Sequence, residues 1–351
     1  MKILCCYDFD WQKEFIQKKL PSCEFSFVKG TIRNCTLPHD KSVEGLCIFI
    51  DSPITVEILD RFPHLKFIVT RSSGFDHINL IETQKRTIIV SSVPAYGKYA
   101  VAEYTIGLLL ALARNICNGR ELTRQGIFSD PQLVGFDLYG KTLGIIGTGT
   151  IGAHVAQLAK AFGMTILAHD VKPNQKLATE LGFTYVSLDK LIANADIITL
   201  HVCYTPQTHH LINRVNIKNL KPGSYIINTS RGAVIDTLAL VHGLEEKILA
   251  GIALDVFEEE AALTDENLVL LDKKVAADKL QTILATHYLA HHPHVLTEPH
   301  NAYNTKQALE SIWKITVDNF KAFIAGKPIN LAQVQTRSAT PCSLANSKNI
   351  S

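Results

Sequence analysis

Apolar and polar positions alternate along this chain in blocks rather than residue by residue. Short, nearly continuous apolar runs, the pattern of strands buried on both faces, alternate with segments of helical periodicity. Lys2–Cys6 reads as a strand and Trp11–Leu20 as a helix, and Leu46–Ile50, Lys66–Thr70 and Ile88–Val90 read as further buried strands. Tyr99–Ile116 reads as one long helix with an apolar centre. A cleaner series then begins after Gly140-Lys141: strand Thr142–Ile146, helix Ile151–Phe162, strand Thr165–His169, helix Gln175–Leu181, and strands Ile197–Leu200, Ser224–Asn228 and Ile252–Leu254. The chain leaves this series near Pro299, and Lys306–Ile324 reads as a last amphipathic helix. Alternating strands and helices imply an α/β fold with parallel sheets covered by helices.

The length of 351 residues exceeds one ordinary core and predicts two domains. The expected division is a discontinuous first domain of residues 1–98 and 299–333, a second domain of 99–298, and a disordered tail of 334–351, which is polar and lacks periodicity. With 46% apolar and 19% charged residues the chain is expected to fold. A net charge of +2 gives no nucleic-acid footprint. The N-terminus turns acidic too early for a signal peptide, and the Val101–Ala113 run is too short for a membrane span, which points to a cytoplasmic protein. The eight cysteines form no C-x-x-C pair and read as buried free thiols of a reducing compartment.

The strongest local signal is Gly147-Thr148-Gly149-Thr150-Ile151-Gly152, a G-x-G-x-x-G loop after a strand and before a helix, with Asp170 closing the next strand. Gly147 allows a tight turn, Gly149 lets a pyrophosphate approach the backbone, and Gly152 lets helix and strand pack closely. The N–H groups of the following helix attract phosphate. Asp170 can accept hydrogen bonds from ribose hydroxyls and repels a 2′-phosphate, so NAD is the expected cofactor, with Lys172 near enough to blunt the preference.

Seven segments occur in order: TRSSGFDHIN (70–79), VPAYGKYAVAEY (93–104), GTGTIG (147–152), HVCYTPQTHHLIN (201–213), NTSRGAVID (228–236), ALDVFEEE (253–260) and EPHNAYNT (298–305). Together they resemble the D-2-hydroxyacid dehydrogenase family, most closely its D-lactate dehydrogenase-like branch, over Met1 to about residue 332. The resemblance implies a flavodoxin-like substrate domain beside an NAD-binding Rossmann domain, a cleft between them, and a homodimer. It implies that Arg231 binds the substrate carboxylate, that His300 exchanges the proton, and that Glu260 partners His300. It implies cofactor contacts from Gly147, Gly149, Thr150, Ile151, Gly152, Asp170, His201, Cys203, Thr229 and Asp255, and substrate contacts from Ser73, Gly74, Tyr96 and Tyr303.

These residue types suit the chemistry. Reducing a 2-oxo acid needs a cation for the carboxylate, a proton for the carbonyl oxygen and a hydride donor close by. Arginine pairs with a carboxylate through two charge-assisted bonds, and a positioned histidine is worth about 10²–10⁴-fold in rate as a general acid. Glu258 and Glu259, beside Glu260, read as a solvated charge run. Cys203 stands where the family has proline, and Lys98-Tyr99 replaces an acidic and polar pair. His287, His291, His292 and His294 lie in a stretch read as solvated helix and loop rather than a metal site. The leading expectation is reduction of pyruvate or a slightly larger 2-oxo acid to the D-hydroxy acid. The alternatives are glyoxylate or hydroxypyruvate reduction, and an NAD(H)-sensing corepressor-like binding protein.

Overall fold

Lys2–Tyr7 (β1) packs a run of four buried residues into the middle of a parallel sheet. The computed structural model describes residues 1–32, 40–260, 263 and 276–332. The expected disordered tail, 334–351, and two cysteines, Cys35 and Cys342, lie outside the described residues.

Two compact units emerge from the chain path: Met1–Tyr96 with Thr305–Ser351, and Gly97–Asn304. In the first, β1 is flanked by Glu24–Lys29 (β2) and Gly45–Ile48 (β3), followed by Phe67–Thr70 (β4) and Ile89–Ser91 (β5), in the order β2-β1-β3-β4-β5 with every pairing parallel. This is the doubly wound order of flavodoxin-like sheets. Asp10–Lys19 (α1), Val56–Asp60 (α2) and Leu80–Lys85 (α3) connect the strands. Thr55 and Asn79 accept backbone N–H groups at the starts of α2 and α3, as short polar residues do at helix N-caps. β2 escapes the sequence pattern because it is an edge strand of partly exposed residues, Phe25 stacked on Phe27 at 5.6 Å.

The second unit begins with Lys98–Ala113 (α4) and Ile116–Arg124 (α5). The single helix expected over 99–116 is therefore broken. Asn115 takes a left-handed conformation (φ 51°), and the Ala113 carbonyl accepts from Phe136 N–H at 2.8 Å instead of continuing the ladder. Asparagine tolerates that conformation better than most residues. The sheet follows: Thr142–Ile146 (β6), Thr150–Ala161 (α6), Thr165–His169 (β7), Gln175–Leu181 (α7), Thr184–Tyr185 (β8), Leu188–Asn194 (α8), Ile197–Leu200 (β9), Ser224–Asn228 (β10), Thr237–Glu245 (α9), Leu249–Leu254 (β11), Ala277–His291 (α10) and Val295–Thr297 (β12). Its order is β12-β11-β10-β9-β6-β7-β8, all parallel. The chain winds outward from β6 to β8 and then returns to build the other half from β9. The switch point therefore falls between β6 and β9, where α/β sheets open a crevice at their carboxyl ends.

Lys306–Ile324 (α11) belongs to the first unit. Its buried face carries Ile312, Trp313, Val317 and Phe320 at helical spacing, and Phe320 meets Phe67 of β4 edge to face at 5.4 Å. Burying one such phenylalanine stabilises the fold by roughly 1.5–3 kcal/mol. Asn319 donates to the Ser92 carbonyl at 2.8 Å, fixing the returning helix to the end of β5.

The cysteine expectation needs correction. Cys5, Cys6 and Cys47 are buried and Cys23 partly so, but Cys117 and Cys203 are exposed, because Cys117 lies on α5, which buries no residue, and Cys203 on the loop after β9. No single helix among the described residues is long and apolar enough to cross a membrane; α4 and α5 together pass by length and composition but bend by 62°.

Candidate active site

The carboxyl edge of the seven-stranded sheet gathers the candidate residues of the second unit. Gly147 follows β6, Asp170 follows β7 and His201 follows β9. Thr229 and Arg231 follow β10, Asp255 follows β11 and His300 follows β12. Parallel strands all end on the same side, so residues scattered over about 150 positions share one edge.

At the switch point the loop is tightly built. Gly147 has φ 93°, and a Cβ there would sit 2.6 Å from the His201 carbonyl oxygen. A Cβ on Gly152 would lie 2.0 Å from the Gly147 carbonyl oxygen. A Cβ on Gly149 meets nothing within 4 Å, so the loop is open where a ligand's phosphates would approach. Gly149 also N-caps α6 without a side chain to occupy the helix terminus. Thr150, Ile151 and Gly152 thus form a first turn aimed at open space, with the partial positive charge of a helix N-terminus.

Asp170 is tied to this loop. Its Oδ2 accepts from Thr148 N at 2.7 Å and from Thr148 Oγ1 at 3.0 Å, and its Oδ1 accepts from Lys172 N at 2.8 Å. Lys172 thus contributes its backbone to holding the carboxylate. The glycine cradle, the uncapped helix terminus and a fixed acid at the next strand end fit a dinucleotide with free ribose hydroxyls. His201 touches Thr199 Oγ1 through Nε2 at 3.0 Å, and burial pushes its imidazole down to about 3, so the ring is neutral. Cys203 is exposed, its carbonyl accepting from Thr208 at 2.7 Å. Thr229 is buried, its hydroxyl 3.0 Å from that of Thr105 on α4.

The other half of the edge holds the candidate proton chemistry. Glu260 Oε2 lies 3.0 Å from His300 Nδ1, and Glu260 Oε1 accepts from Phe257 N at 2.9 Å. His300 has φ 53°, a left-handed conformation unusual for a side-chain-bearing residue. Asp255, 1% exposed, holds the backbone beyond it, accepting from Asn301 N at 2.7 Å and Ala302 N at 3.0 Å. Burial raises the Asp255 pKa, and the two N–H groups and the His300 charge oppose the rise. Asp255 is thereby a scaffold for the His300 loop, a task its sequence position did not reveal. The Tyr303 ring stands edge-on to His300, centroids 6.3 Å apart. Arg231 is half-buried; its Nη1 donates to the Ser230 carbonyl at 2.7 Å, and its own carbonyl accepts from Asn228 Nδ2 at 2.9 Å.

One residue of the glutamate run departs from expectation, whereas Glu259 is exposed as expected. Glu258 is not solvated: its side chain is 11% exposed and reaches His210 at 2.7 Å and Thr237. Glu259 pairs with Lys279 at 2.7 Å. Alternating directions in a tight turn give three identical residues three different surroundings. In the first unit, Ser73 is exposed with its hydroxyl on the Val93 carbonyl at 3.0 Å, Gly74 offers its carbonyl to Ser72, and Tyr96 is half-buried. His287 and His291 are exposed on α10, and among the described residues no group of three or more His, Cys, Asp or Glu could hold a metal ion.

The chain is similar to known proteins. Residues 106–302 match the description "D-isomer specific 2-hydroxyacid dehydrogenase, NAD binding domain". A 2-hydroxyacid dehydrogenase homolog of Zymomonas mobilis is 37% identical over 304 residues, 86% of this chain and 89% of the relative. A glyoxylate reductase of Thermofilum pendens is 40% identical over 237 residues, 66% of this chain and 70% of the relative. The crystal structure of D-lactate dehydrogenase from Aquifex aeolicus, complexed with NAD and lactic acid, superposes with a TM-score of 0.82 at 36% identity, covering 93% of this chain and 96% of that one.

Proposed function

The chain belongs to the D-isomer specific 2-hydroxyacid dehydrogenase family, and on that premise we propose that it reduces pyruvate with NADH to D-lactate. Its cofactor is NAD, the ligand named for the domain that its second unit matches. When bound, NAD supplies the hydride chemistry. The remaining work falls to side chains of this chain. Arg231 pairs with the substrate carboxylate and orients it. Glu260 accepts from His300 Nδ1, which leaves Nε2 to give a proton to the C2 oxygen in reduction and to take it back in oxidation. The roles of Gly147, Gly149, Thr150, Ile151, Gly152, Asp170, His201, Cys203, Thr229 and Asp255 toward the cofactor belong to the same proposal, as do those of Ser73, Gly74 and Tyr96 toward the substrate.

The observation that carries the proposal is the Glu260–His300 pair, 3.0 Å apart, on the edge that bears the glycine loop. Tyr303 beside His300 supports pyruvate as substrate, since an aromatic wall favours a substrate that carries a methyl group. The likeness to a glyoxylate reductase makes glyoxylate the second candidate. NADH oxidation with pyruvate, glyoxylate and hydroxypyruvate, followed by chiral analysis of the product, tests the assignment. Fastest turnover with pyruvate and a D-product is expected; preference for glyoxylate replaces it with the second candidate. Exposed Ile127, Phe128, Val134 and Tyr139 of the second unit support a homodimer, to be checked by light scattering.

A further inference from the structure

Glu258 lies two residues before Glu260, yet its carboxylate serves a second histidine. Oε1 meets His210 Nε2 at 2.7 Å, and Oε2 accepts the backbone N–H of Thr237 at 2.8 Å and its hydroxyl at 2.5 Å. Thr237 opens α9, so the carboxylate also caps a helix N-terminus, where a negative charge is favoured. Two chain segments distant from Glu258 therefore converge on its side chain.

The backbone around Glu258 touches the groups that matter. A Cβ on Gly232 would lie 1.9 Å from the Phe257 carbonyl carbon and 2.3 Å from Glu258 N, so the residue after Arg231 is pressed directly onto the Phe257–Glu258 peptide. Phe257 N–H in turn holds Glu260 Oε1 at 2.9 Å, and Glu260 Oε2 holds His300. The other partner is equally constrained. His210 has φ 49°, its N–H donates to the Ala233 carbonyl at 2.9 Å, and its ring stacks on His209 at 3.8 Å. A left-handed residue with a side chain persists only where its surroundings over-determine it.

We propose that Glu258, clamped between His210 and Thr237, is a positioning residue that sets the Phe257–Glu258 peptide and through it the placement of both Arg231 and the Glu260–His300 pair. The inference rests on the catalytic roles proposed above for those three residues. Both Glu258 carboxylate oxygens are taken up by His210 and Thr237; its role is to hold two groups of the proposed reaction in register from one peptide. A misplacement of about 1 Å in such a group costs on the order of a hundredfold in rate.

The test compares wild type with Glu258→Ala, Glu258→Gln and His210→Gln in the full chain. Turnover and KM are measured with pyruvate, NADH affinity by fluorescence, and amide hydrogen exchange on protein without added cofactor. Glu258→Ala is expected to lower kcat by about tenfold or more and NADH affinity by much less, because Asp170 is held by Thr148 and Lys172 rather than by the clamp. Glu258→Gln, whose amide oxygen still accepts from Thr237, recovers most of that loss, and His210→Gln falls between. Exchange rises over 228–236 and 256–260 but not over 142–170. Turnover unchanged in Glu258→Ala, a parallel fall in NADH affinity, or unaltered exchange over 228–236 overturns the inference. If the wild type reduces no 2-oxo acid, the catalytic assignment fails and the exchange pattern alone decides whether Glu258 is the clamp.

Discussion

Asp255 accepts the backbone N–H of Asn301 at 2.7 Å, and its other oxygen takes that of Ala302 at 3.0 Å. The end of β11 thus grips the loop that leaves β12 through His300. The grip is buried, so water cannot replace it. Asp255→Ala orphans two donors, at roughly 1–3 kcal/mol each. Urea unfolding should show that loss, with a fall in turnover beside it. A variant of wild-type stability would mean the loop is held by other contacts.

Gly149 and Gly152 should respond differently to alanine. Gly152→Ala forces a Cβ to within 2.0 Å of the Gly147 carbonyl and should lower both stability and NADH affinity. Gly149→Ala meets nothing within 4 Å, so stability should stay within about 0.5 kcal/mol while NADH affinity falls. Thermal melts with and without NADH separate the two. Equal behaviour would contradict an open approach to the loop.

Asp170→Ala should weaken NADH binding and narrow its margin over NADPH by about tenfold, since the charge that repels a 2′-phosphate is gone. Fluorescence titrations with both cofactors measure the ratio. An unchanged ratio removes Asp170 from ribose recognition.

His201 predicts an acid limb in stability. Its pKa in the folded chain is held near 3, against 6.5 in an unfolded one. Between these values the unfolded chain binds a proton that the folded chain refuses, so stability falls as pH drops from 6.5 towards 3. The residue keeps some surface access, which softens the slope. His201→Asn should flatten it in urea titrations at pH 7 and about pH 4.5. Parallel losses in both proteins would place the acid sensitivity elsewhere.

Strands β6, β7, β9 and β10 could be bounded from the chain alone, because each is a short apolar run closed by glycine or polar residues; β6, β9 and β10 are buried almost throughout, whereas β7 buries only Ile166 and Ala168. The Gly147–Gly152 turn was legible for a partly local reason: Gly147 takes φ 93°, and a Cβ on Gly152 would meet the Gly147 carbonyl oxygen at 2.0 Å. Edge strands β2, β8 and β12 were not legible, since short, half-exposed segments gain their strand character from a neighbour distant in the chain. The end of α4 was missed because Ala113 gives its carbonyl to Phe136, more than twenty residues on. Glu258-Glu259-Glu260 makes the division sharpest. Composition offers the same side chain three times, and only the fold turns one to His210, one to Lys279 and one to His300. A carboxylate's chemistry depends on the charge and donors across space from it, and tertiary structure alone brings those partners within reach.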